Sequence, residues 1–353
     1  MQAYLQAIGT AVPDHDIHHA FIDWARQRVD TRGARLFDRM ASRAAIRHRW
    51  SVLPRGHEGG SPVARGGFYA IDPLPGTGER MAIYAEAAPT LALAAIDALA
   101  AKASLDGVTH LVVASCTGFV APGIDQIIAA RCGLAPTVER LLVGFMGCYA
   151  AVAALRSARH IVRSDPAARV LVVTVELSTL HLQDTSEIEP LLAMLQFGDG
   201  AAAALVTAEP GGFAIERPFS SALPDSGELI RWAITDRGFA MHLSGEVPAR
   251  IAAALADPAF VASLGVDRPA AVDAWAVHAG GRSILDAVEQ ALALPPDALR
   301  ASREVLGAFG NMSSATLMFV LADLLAIRTA RHGVALAFGP GLAAEGFVFR
   351  SAA

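Results

Sequence analysis

Short apolar runs alternate with helical segments along most of this chain, and this alternation restricts the possible fold more than any other feature of the sequence. The middle of the chain contains, in order, strand His110–Ser115, helix Gly123–Cys132, strand Leu141–Phe145, helix Tyr149–Arg163 and strand Arg169–Glu176. These strands are apolar without interruption, which is typical of strands that are buried on both faces. The pattern therefore predicts an α/β protein in which helices cover both faces of a sheet.

The same alternation resumes after Pro224-Asp-Ser-Gly227, so the sequence predicts two domains, residues 1–224 and 225–353. Strand Ala271–Val277 leads into helix Ser283–Leu294, and a loop at Gly307–Gly310 leads into a helix over 312–327. In each half, a chemically active residue thus lies between an apolar strand and the helix that follows it. The other predicted elements are an N-terminal strand, helical spacing near 17–47, a loop rich in Gly and Pro at 54–78, a helix over 78–100, and strands at 200–207 and 333–338.

Composition excludes several classes of function. The formal net charge of -5 gives no reason to expect nucleic acid as a partner. Hydrophobic residues make up 53% of the chain, but much of this is alanine, and no eighteen-residue stretch has the quality of a membrane span. The N-terminus resembles a core strand and has no basic leader. We therefore expect a soluble protein with no membrane span.

Three cysteines, Cys116, Cys132 and Cys148, are widely spaced on apolar segments. An odd number in this arrangement argues against a disulfide framework and favours the reducing cytoplasm. No cluster of Cys and His has the spacing of metal ligands, so no metal site is predicted.

Arginine is concentrated near the N-terminus, where ten of the 29 basic residues fall between Arg26 and Arg65. One interpretation is a solvated helix face with aspartate partners. The other is the mouth of a site for a phosphorylated substrate, because arginine can bind phosphate through two parallel hydrogen bonds.

Cys148 lies where a short apolar strand passes through a glycine turn into an alanine-rich helix, in the segment Arg140–Leu155. At a helix N-terminus, free N–H groups and the macrodipole favour an anion and lower the pKa of a thiol. This placement predicts a nucleophile that ionises at neutral pH. A buried structural cysteine is the alternative.

Two further residues complete a possible set. His278 follows strand Ala271–Val277 at its carboxyl end, where ligands meet the chain in α/β sheets, and Gly280-Gly281 permits close backbone approach. Asn311 follows the glycine loop. Considered alone, each residue also has a purely structural interpretation. His278 is then a hydrogen-bonded polar residue of the fold, and Asn311 is the N-cap of a helix.

Together, cysteine, histidine and asparagine can perform acyl transfer, with the imidazole pairing with the thiolate and His and Asn donating hydrogen bonds to a developing oxyanion. Papain-like proteases use the same order at similar separations. However, Cys148 lies in the middle of the chain, and the local Cys-Gly-Ser-Cys-Trp pattern is absent.

The chain resembles a type III polyketide synthase, in the chalcone synthase-like family and of the bacterial type. The motifs that carry this resemblance run nearly end to end: Ala7-Ile-Gly-Thr-Ala11, Gly144-Phe-Met-Gly-Cys148, Phe197-Gly-Asp-Gly-Ala-Ala-Ala203, Trp275-Ala-Val-His-Ala-Gly-Gly281, Gly310-Asn-Met-Ser-Ser314, and Gly339-Pro-Gly-Leu342 with Glu345.

The resemblance implies a thiolase fold made of two pseudo-duplicated αβαβα halves with mixed sheets covered by helices. It implies an acyltransferase that repeats decarboxylative Claisen condensation of malonyl-CoA onto a CoA-linked starter, followed by cyclisation to a pyrone, resorcinol or other aromatic product. It also implies a homodimer. No cofactor is expected, because coenzyme A thioesters are the substrates.

By the same resemblance, Cys148 carries the starter and the growing chain as a thioester, while His278 and Asn311 bind the malonyl thioester carbonyl and stabilise the enolate. Phe197 matches a gatekeeping phenylalanine between the acyl-CoA tunnel and the cavity. The residues implied in CoA binding are Arg39, Arg43, Ser283, Gly280 and Gly281. Leu36 stands where the family has a third cation, and Arg35 is a possible substitute.

The implied substrate cavity is formed by Cys116, Thr117, Ser178, His181, Ala193, Met241 and Ser313. Met241 replaces a second aromatic gatekeeper with a flexible side chain. Cys116 falls where some bacterial members also have cysteine, and it is alternatively a small core residue. These differences argue against a coumaroyl starter and favour an aliphatic or malonyl starter.

Two alternatives remain open from the sequence. A single-round β-ketoacyl synthase III would make one linear ketoacyl thioester and no ring. A degenerate thiolase-fold protein would bind acyl-CoA without turnover, although the intact Cys, His and Asn argue against this.

Overall fold

The protein is described here by a computed structural model that covers residues 1–56, 60–266, 268–327 and 330–352. Its strands are β1 (Ala3–Ala11), β2 (His15–Asp16), β3 (Trp50–Ser51), β4 (His110–Ser115), β5 (Glu139–Gly144), β6 (Val170–Leu177), β7 (Asp199–Thr207), β8 (Phe213–Ala222), β9 (Ile230–Thr235), β10 (Gly238–Leu243), β11 (Ala274–Val277), β12 (Gly333–Gly339) and β13 (Ala343–Ser351). Its helices are α1 (His18–Arg26), α2 (Thr31–Arg43), α3 (Thr77–Ala100), α4 (Ile124–Arg131), α5 (Ala150–Ser164), α6 (Ile188–Met194), α7 (Val247–Leu255), α8 (Pro258–Ser263), α9 (Arg282–Ala291), α10 (Arg300–Phe309) and α11 (Ser314–Ile327).

Nine of these strands form one mixed sheet in the order β11-β12-β13-β8-β1-β7-β6-β4-β5. β4 is parallel to β5 and β6, and β11 is parallel to β12, whereas the remaining neighbours are antiparallel. The predicted α/β class with mixed sheets covered by helices is confirmed. The sheet has one group of strands from β11 to β8 in this order and another from β1 to β5. The two groups meet where β1 pairs with β8 over only three residue pairs, Ala3–Leu5 against Phe213–Ile215.

β8 precedes the predicted boundary at residue 224, yet it pairs along its length with β13 near the C-terminus. The boundary itself stays a prediction.

Helices cover the sheet on both faces because its strands are apolar on both. β6 and β7 are buried at every residue. The alanines of α5 allow it to lie close to β4 and β6, and α11 packs against β1 and β7 on the same face. α3 packs on the opposite face. A third apolar cluster joins α7 and α9 beside β11 and β12.

Several predicted elements differ from the observed ones. The helical spacing near 17–47 corresponds to two helices, α1 and α2, because the Asp30 side chain accepts from the Gly33 N–H at 2.7 Å and starts a new helix. Strands β8, β9, β10 and β13 were not predicted. The predicted loop over 54–78 includes residues 57–59, which lie outside the described residues.

α3 meets the length and hydropathy criteria for a membrane span, and it is the only helix in the described part of the chain that does so. These criteria use length and composition only, and the buried core helix of a globular protein meets them as well. The helix nevertheless carries Arg80 in its interior, where the guanidinium donates to the carbonyls of Pro75, Leu180 and Leu182. Its packing against β1, β6 and β7 is that of a core helix.

Candidate active site

Three segments from different parts of the chain bring Cys148, His278 and Asn311 together. Cys148 lies in a short 3-10 turn, Gly147–Tyr149, between β5 and α5. The turn needs glycine before the cysteine, because Gly147 has φ +73° and a Cβ there would lie 2.4 Å from Pro340 Cδ. His278 follows β11, and Asn311 lies between α10 and α11.

Cys148 is buried, and its surroundings favour the neutral thiol. Burial raises the pKa of Cys148 to about 11, and hydrogen bonds from Ser313 and Asn311 only partly oppose this shift. The prediction of a thiol that ionises at neutral pH from its helix position alone is therefore wrong. Desolvation outweighs the field of the helix N-terminus.

His278 is buried with both ring nitrogens free. Neither Nδ1 nor Nε2 has a hydrogen-bond partner among the described residues, although the side chain is only 2% exposed. Burial lowers the pKa of His278 to about 3, so the ring is neutral. The expected hydrogen bond between imidazole and thiol is not formed in this structure. The free nitrogens instead leave hydrogen-bonding capacity for a ligand, because buried polar groups rarely lack partners.

Asn311 joins the other two residues. Its Nδ2 donates to the Gly280 carbonyl at 3.2 Å, beside His278, and its side chain is close enough to Cys148 to lower the pKa of that thiol. Its Oδ1 accepts from the Ser313 N–H at 2.8 Å. Asn311 therefore shapes the start of α11, as the capping interpretation held, and lies close to the thiol as well.

Phe197 is held in place by buried polar contacts on its backbone. Arg49 is 1% exposed, and its Nη1 donates to the carbonyls of Met194 and Phe197 at 2.9 and 2.8 Å. The Gly198 N–H donates to the Asn311 carbonyl at 3.0 Å. The phenylalanine and the asparagine are thus fixed relative to each other, and Arg49 was not identified from the sequence.

Behind Cys148 lies a buried network centred on Glu176. Its carboxylate accepts from the Cys116 N–H and Sγ, both at 3.0 Å, from Thr117 Oγ1 at 2.9 Å, and from Ser314 Oγ. Cys116 Sγ also lies 3.3 Å from Ser313 Oγ. Burial and the adjacent carboxylate raise the pKa of Cys116 well above its usual value, so it is a neutral thiol. The sequence analysis did not predict this network. The one signal for it was a lone acidic residue, Glu176, near the end of the apolar strand β6.

Two cavities adjoin this network. The smaller has about 20 Å³ of space for the centre of a water-sized sphere and is lined by Cys116, Thr117, Gly147, Cys148, Ser178, Phe197, Trp232, Met241, Ser313 and Pro340. The larger has about 70 Å³ of such space and is largely apolar, and its lining includes Ile17, Phe21, Arg49, Tyr69, His181, Leu182, Met194 and Phe239. Ser178, Phe197, Trp232 and Met241 line both cavities and form the wall between them.

Most residues predicted for the substrate cavity line one of these two spaces. Ala193 does not: it is 4% exposed and lies on α6 away from the described lining of both cavities. Trp232 was missed by the sequence. Its indole donates to the Cys116 carbonyl at 2.9 Å and packs edge-on against His181.

The residues predicted to bind coenzyme A lie around the start of α9. Arg39 and Arg43 are exposed on α2, and Ser283 is exposed in the first turn of α9. Gly280 and Gly281 are buried between His278 and α9, where a Cβ on Gly281 would lie 2.3 Å from Gln196 Oε1.

Comparison with known proteins identifies the family. The model of the chalcone and stilbene synthase N-terminal domain matches residues 1–210, and that of the C-terminal domain matches residues 215–353. The chain belongs to the chalcone and stilbene synthase family. The type III polyketide synthase resemblance read from the motifs is thereby confirmed.

Relatives and solved structures agree. The alpha-pyrone synthesis polyketide synthase-like Pks18 of Mycobacterium tuberculosis (strain ATCC 25618 / H37Rv) is 35% identical over 252 residues, which is 68% of this chain and 64% of Pks18. Type III polyketide synthase 10 of Oryza sativa subsp. japonica is 36% identical over 275 residues, which is 70% of this chain and 67% of that protein. The chain therefore spans somewhat less than two thirds of the length of Pks18.

The C-terminal type III polyketide synthase domain of Steely1, a type I/III hybrid from Dictyostelium, superposes with a TM-score of 0.90 at 25% identity over 100% of both chains. PKS-I from the brown alga Ectocarpus siliculosus gives a TM-score of 0.88 at 27% identity, over 99% of this chain and 98% of that one. The fold of this family is thus present throughout the chain.

Proposed function

We propose that this protein is a type III polyketide synthase that extends a CoA-linked starter held on Cys148 with units from malonyl-CoA. One observation carries the proposal: a buried thiol and a buried imidazole with two free nitrogens adjoin the same asparagine. Acyl transfer needs a nucleophile, a proton acceptor and oxyanion donors, and this set contains all three.

Loading begins with transfer of the Cys148 proton to His278. Either charged form alone is costly in this buried site, whereas a thiolate and an imidazolium formed together attract each other and cost less. The sulfur attacks the starter carbonyl carbon, the bond to the CoA sulfur breaks, and the CoA thiolate takes up the proton.

Extension then uses the same donors. The bond between the malonyl α-carbon and its carboxylate breaks, carbon dioxide leaves, and the electron pair forms an enolate. A hydrogen bond from His278 and one from Asn311 stabilise the enolate oxygen. The enolate carbon attacks the Cys148 thioester, and the cysteine sulfur leaves as thiolate. A neutral imidazole suits this role because it can donate from one nitrogen while staying uncharged.

The cavities support an aliphatic starter and repeated extension. The cavity at Cys148 offers only about 20 Å³ to the centre of a water-sized sphere, so a long tail needs other space. The adjoining cavity is largely apolar and larger, at about 70 Å³ by the same measure, and it provides this space. A single-round ketoacyl synthase does not need a second apolar cavity beside its cysteine, which favours the iterative enzyme.

The direct test is incubation of the purified protein with malonyl-CoA and a panel of acyl-CoA starters. Release of carbon dioxide and free CoA with cyclised products supports the proposal. A single linear ketoacyl thioester would instead identify a single-round β-ketoacyl synthase III. Binding of acyl-CoA without any product would identify a degenerate thiolase-fold protein.

Trp232→Ala is expected to shift starter preference towards longer chains, because it removes the largest of the four side chains that form the wall between the two cavities. The ratio of kcat/KM for a long-chain to that for a short-chain acyl-CoA should rise about tenfold. Trp232→Phe retains a ring and is the matched control. Circular dichroism checks that both variants fold, since loss of a large side chain destabilises a core by about 3–5 kcal/mol. An unchanged preference in a folded Trp232→Ala protein would refute the role of this wall.

We also propose a homodimer that forms through β5. This strand is at one end of the nine-stranded sheet and exposes Leu141 and Leu142, which are 43% and 40% exposed. Phe119, at 43% exposure, lies beside Gly144 at the end of β5. An unpaired apolar edge strand readily pairs with a second chain. Light scattering should give the mass of two chains for the wild type and of one chain for Leu142→Glu; a monomeric wild type would contradict the proposal.

Neither a cofactor nor a metal is needed for this chemistry, since the thioester activates both substrates; undiminished turnover after chelation would support this. We propose a cytoplasmic location on the basis of three cysteines without disulfides, which cell fractionation can test.

A further inference from the structure

The arginines of α1 and α2 fall into two groups. Arg26 pairs with Asp38 at 3.0 Å, and Arg28 pairs with Asp184. Arg39 and Arg43 are exposed and have no carboxylate within 4 Å in the described part of the chain. The first group is the solvated face with aspartate partners, whereas the second has unpaired positive charge.

Arg282 adds a third positive charge to Arg39 and Arg43 from another element. Its Nη1 donates to the Arg43 carbonyl at 3.2 Å, so the first turn of α9 lies against the end of α2. The side chain is 49% exposed, which leaves the rest of its donor fork available. Three guanidinium groups on two elements therefore share one surface, and the N-terminus of the ten-residue helix α9 adds to its positive potential.

The nearest carboxylate does not neutralise this surface. Asp286 lies 3.4 Å from Arg282 but pairs more closely with Arg303, at 2.8 Å. Arg303 in turn also binds Glu289 at 2.9 Å. Because Asp286 is shared between Arg282 and Arg303, the Arg282 guanidinium still has N–H groups free to bind an external anion.

The surface is within reach of the catalytic residues. His278 and Arg282 are four residues apart, so their Cα atoms are at most about 14 Å apart. The segment between them contains Gly280 and Gly281, and Gly280 accepts the Asn311 hydrogen bond. A thioester at His278 can therefore extend past the glycines to an anionic group at the start of α9.

We propose that Arg282 binds a phosphate of the coenzyme A thioesters, together with Arg39 and Arg43, and supplies the cation that Leu36 does not. This inference rests on the proposed CoA-dependent function. The guanidinium fork suits phosphate because it can donate two parallel hydrogen bonds. Arg35, the substitute suggested by the sequence, lies one helical turn away from Arg39 and has no observed contact with α9 within the described residues.

The test compares malonyl-CoA with malonyl-pantetheine, which lacks the nucleotide and its phosphates. Arg282→Ala should raise KM for malonyl-CoA about three- to tenfold with kcat retained, as expected for loss of one exposed charge-assisted contact. Arg282→Glu should raise it further. Neither substitution should change KM for malonyl-pantetheine. Arg350→Ala is the matched control, because Arg350 is also exposed and paired with one carboxylate, Glu216, but lies on β13.

An equal rise in KM for both thioesters would overturn the proposal, because it would show that Arg282 only positions α2 against α9. Unchanged KM for both would also overturn it. Calorimetric titration with coenzyme A itself tests Arg282 without turnover: equal affinity of wild type and Arg282→Ala would refute the inference even if the enzyme were inactive. A wild type that consumes neither thioester yet loses CoA affinity on Arg282→Ala would contradict the proposed function alone.

Discussion

Cys148→Ala is expected to abolish polyketide formation, lowering the rate by about 10⁴-fold or more. The thiol forms the covalent bond to the acyl group, and in the described structure the only other cysteine near it, Cys116, is held neutral against Glu176. Product formation from malonyl-CoA and a starter, followed by mass spectrometry, measures the loss.

Cys132→Ala is the matched control, since Cys132 is half-buried at the end of α4 and lines neither cavity. It should retain wild-type activity. Intact-protein mass spectrometry after incubation with acyl-CoA adds a second measurement, because acyl adducts should form on the wild type and on Cys132→Ala but not on Cys148→Ala. Chain extension by Cys148→Ala would show that another group is the nucleophile.

His278→Ala and Asn311→Ala are each expected to lower condensation by about 10²–10³-fold, the usual cost of removing one oxyanion donor. The His278→Ala variant should also ionise the Cys148 thiol poorly, and this second defect should be smaller in Asn311→Ala. Without His278 no imidazolium forms beside the thiolate to offset its cost, so burial alone holds the pKa of Cys148 above its usual value.

Alkylation by iodoacetamide separates these two roles. Below the pKa, the thiolate fraction rises tenfold for each pH unit. Alkylation of Cys148 in His278→Ala should therefore be slow at pH 7 and should rise about tenfold per unit up to pH 10. Alkylation of the wild type should be faster at pH 7 and less dependent on pH.

The exposed His160 on α5 provides the control, and His160→Ala should match the wild type. Identical pH profiles for wild type and His278→Ala would show that His278 does not accept the proton of Cys148. Full condensation activity in either the histidine or the asparagine variant would remove that residue from the mechanism.

Much of the fold could be predicted from the sequence because the deciding signals are local. Apolar runs such as β4 and β6 are buried on both faces, and their continuity in the sequence shows this directly. Strands β8 and β9 were missed because charged residues interrupt their apolar runs, and β10 because it is short and only partly buried. Their pairing partners decide their conformation, and those partners are distant in sequence.

The sequence by itself determined the family, the order of Cys148, His278 and Asn311, and their positions at the ends of strands and starts of helices. Short-range glycine turns and apolar periodicity are sufficient for this. Only the tertiary structure decided the protonation of the thiol, the free nitrogens of His278, the role of Trp232 between two cavities, and the approach of Arg282 to Arg43. Burial, cavity shape and charge proximity are sums over residues far apart in the chain, so no local pattern contains them.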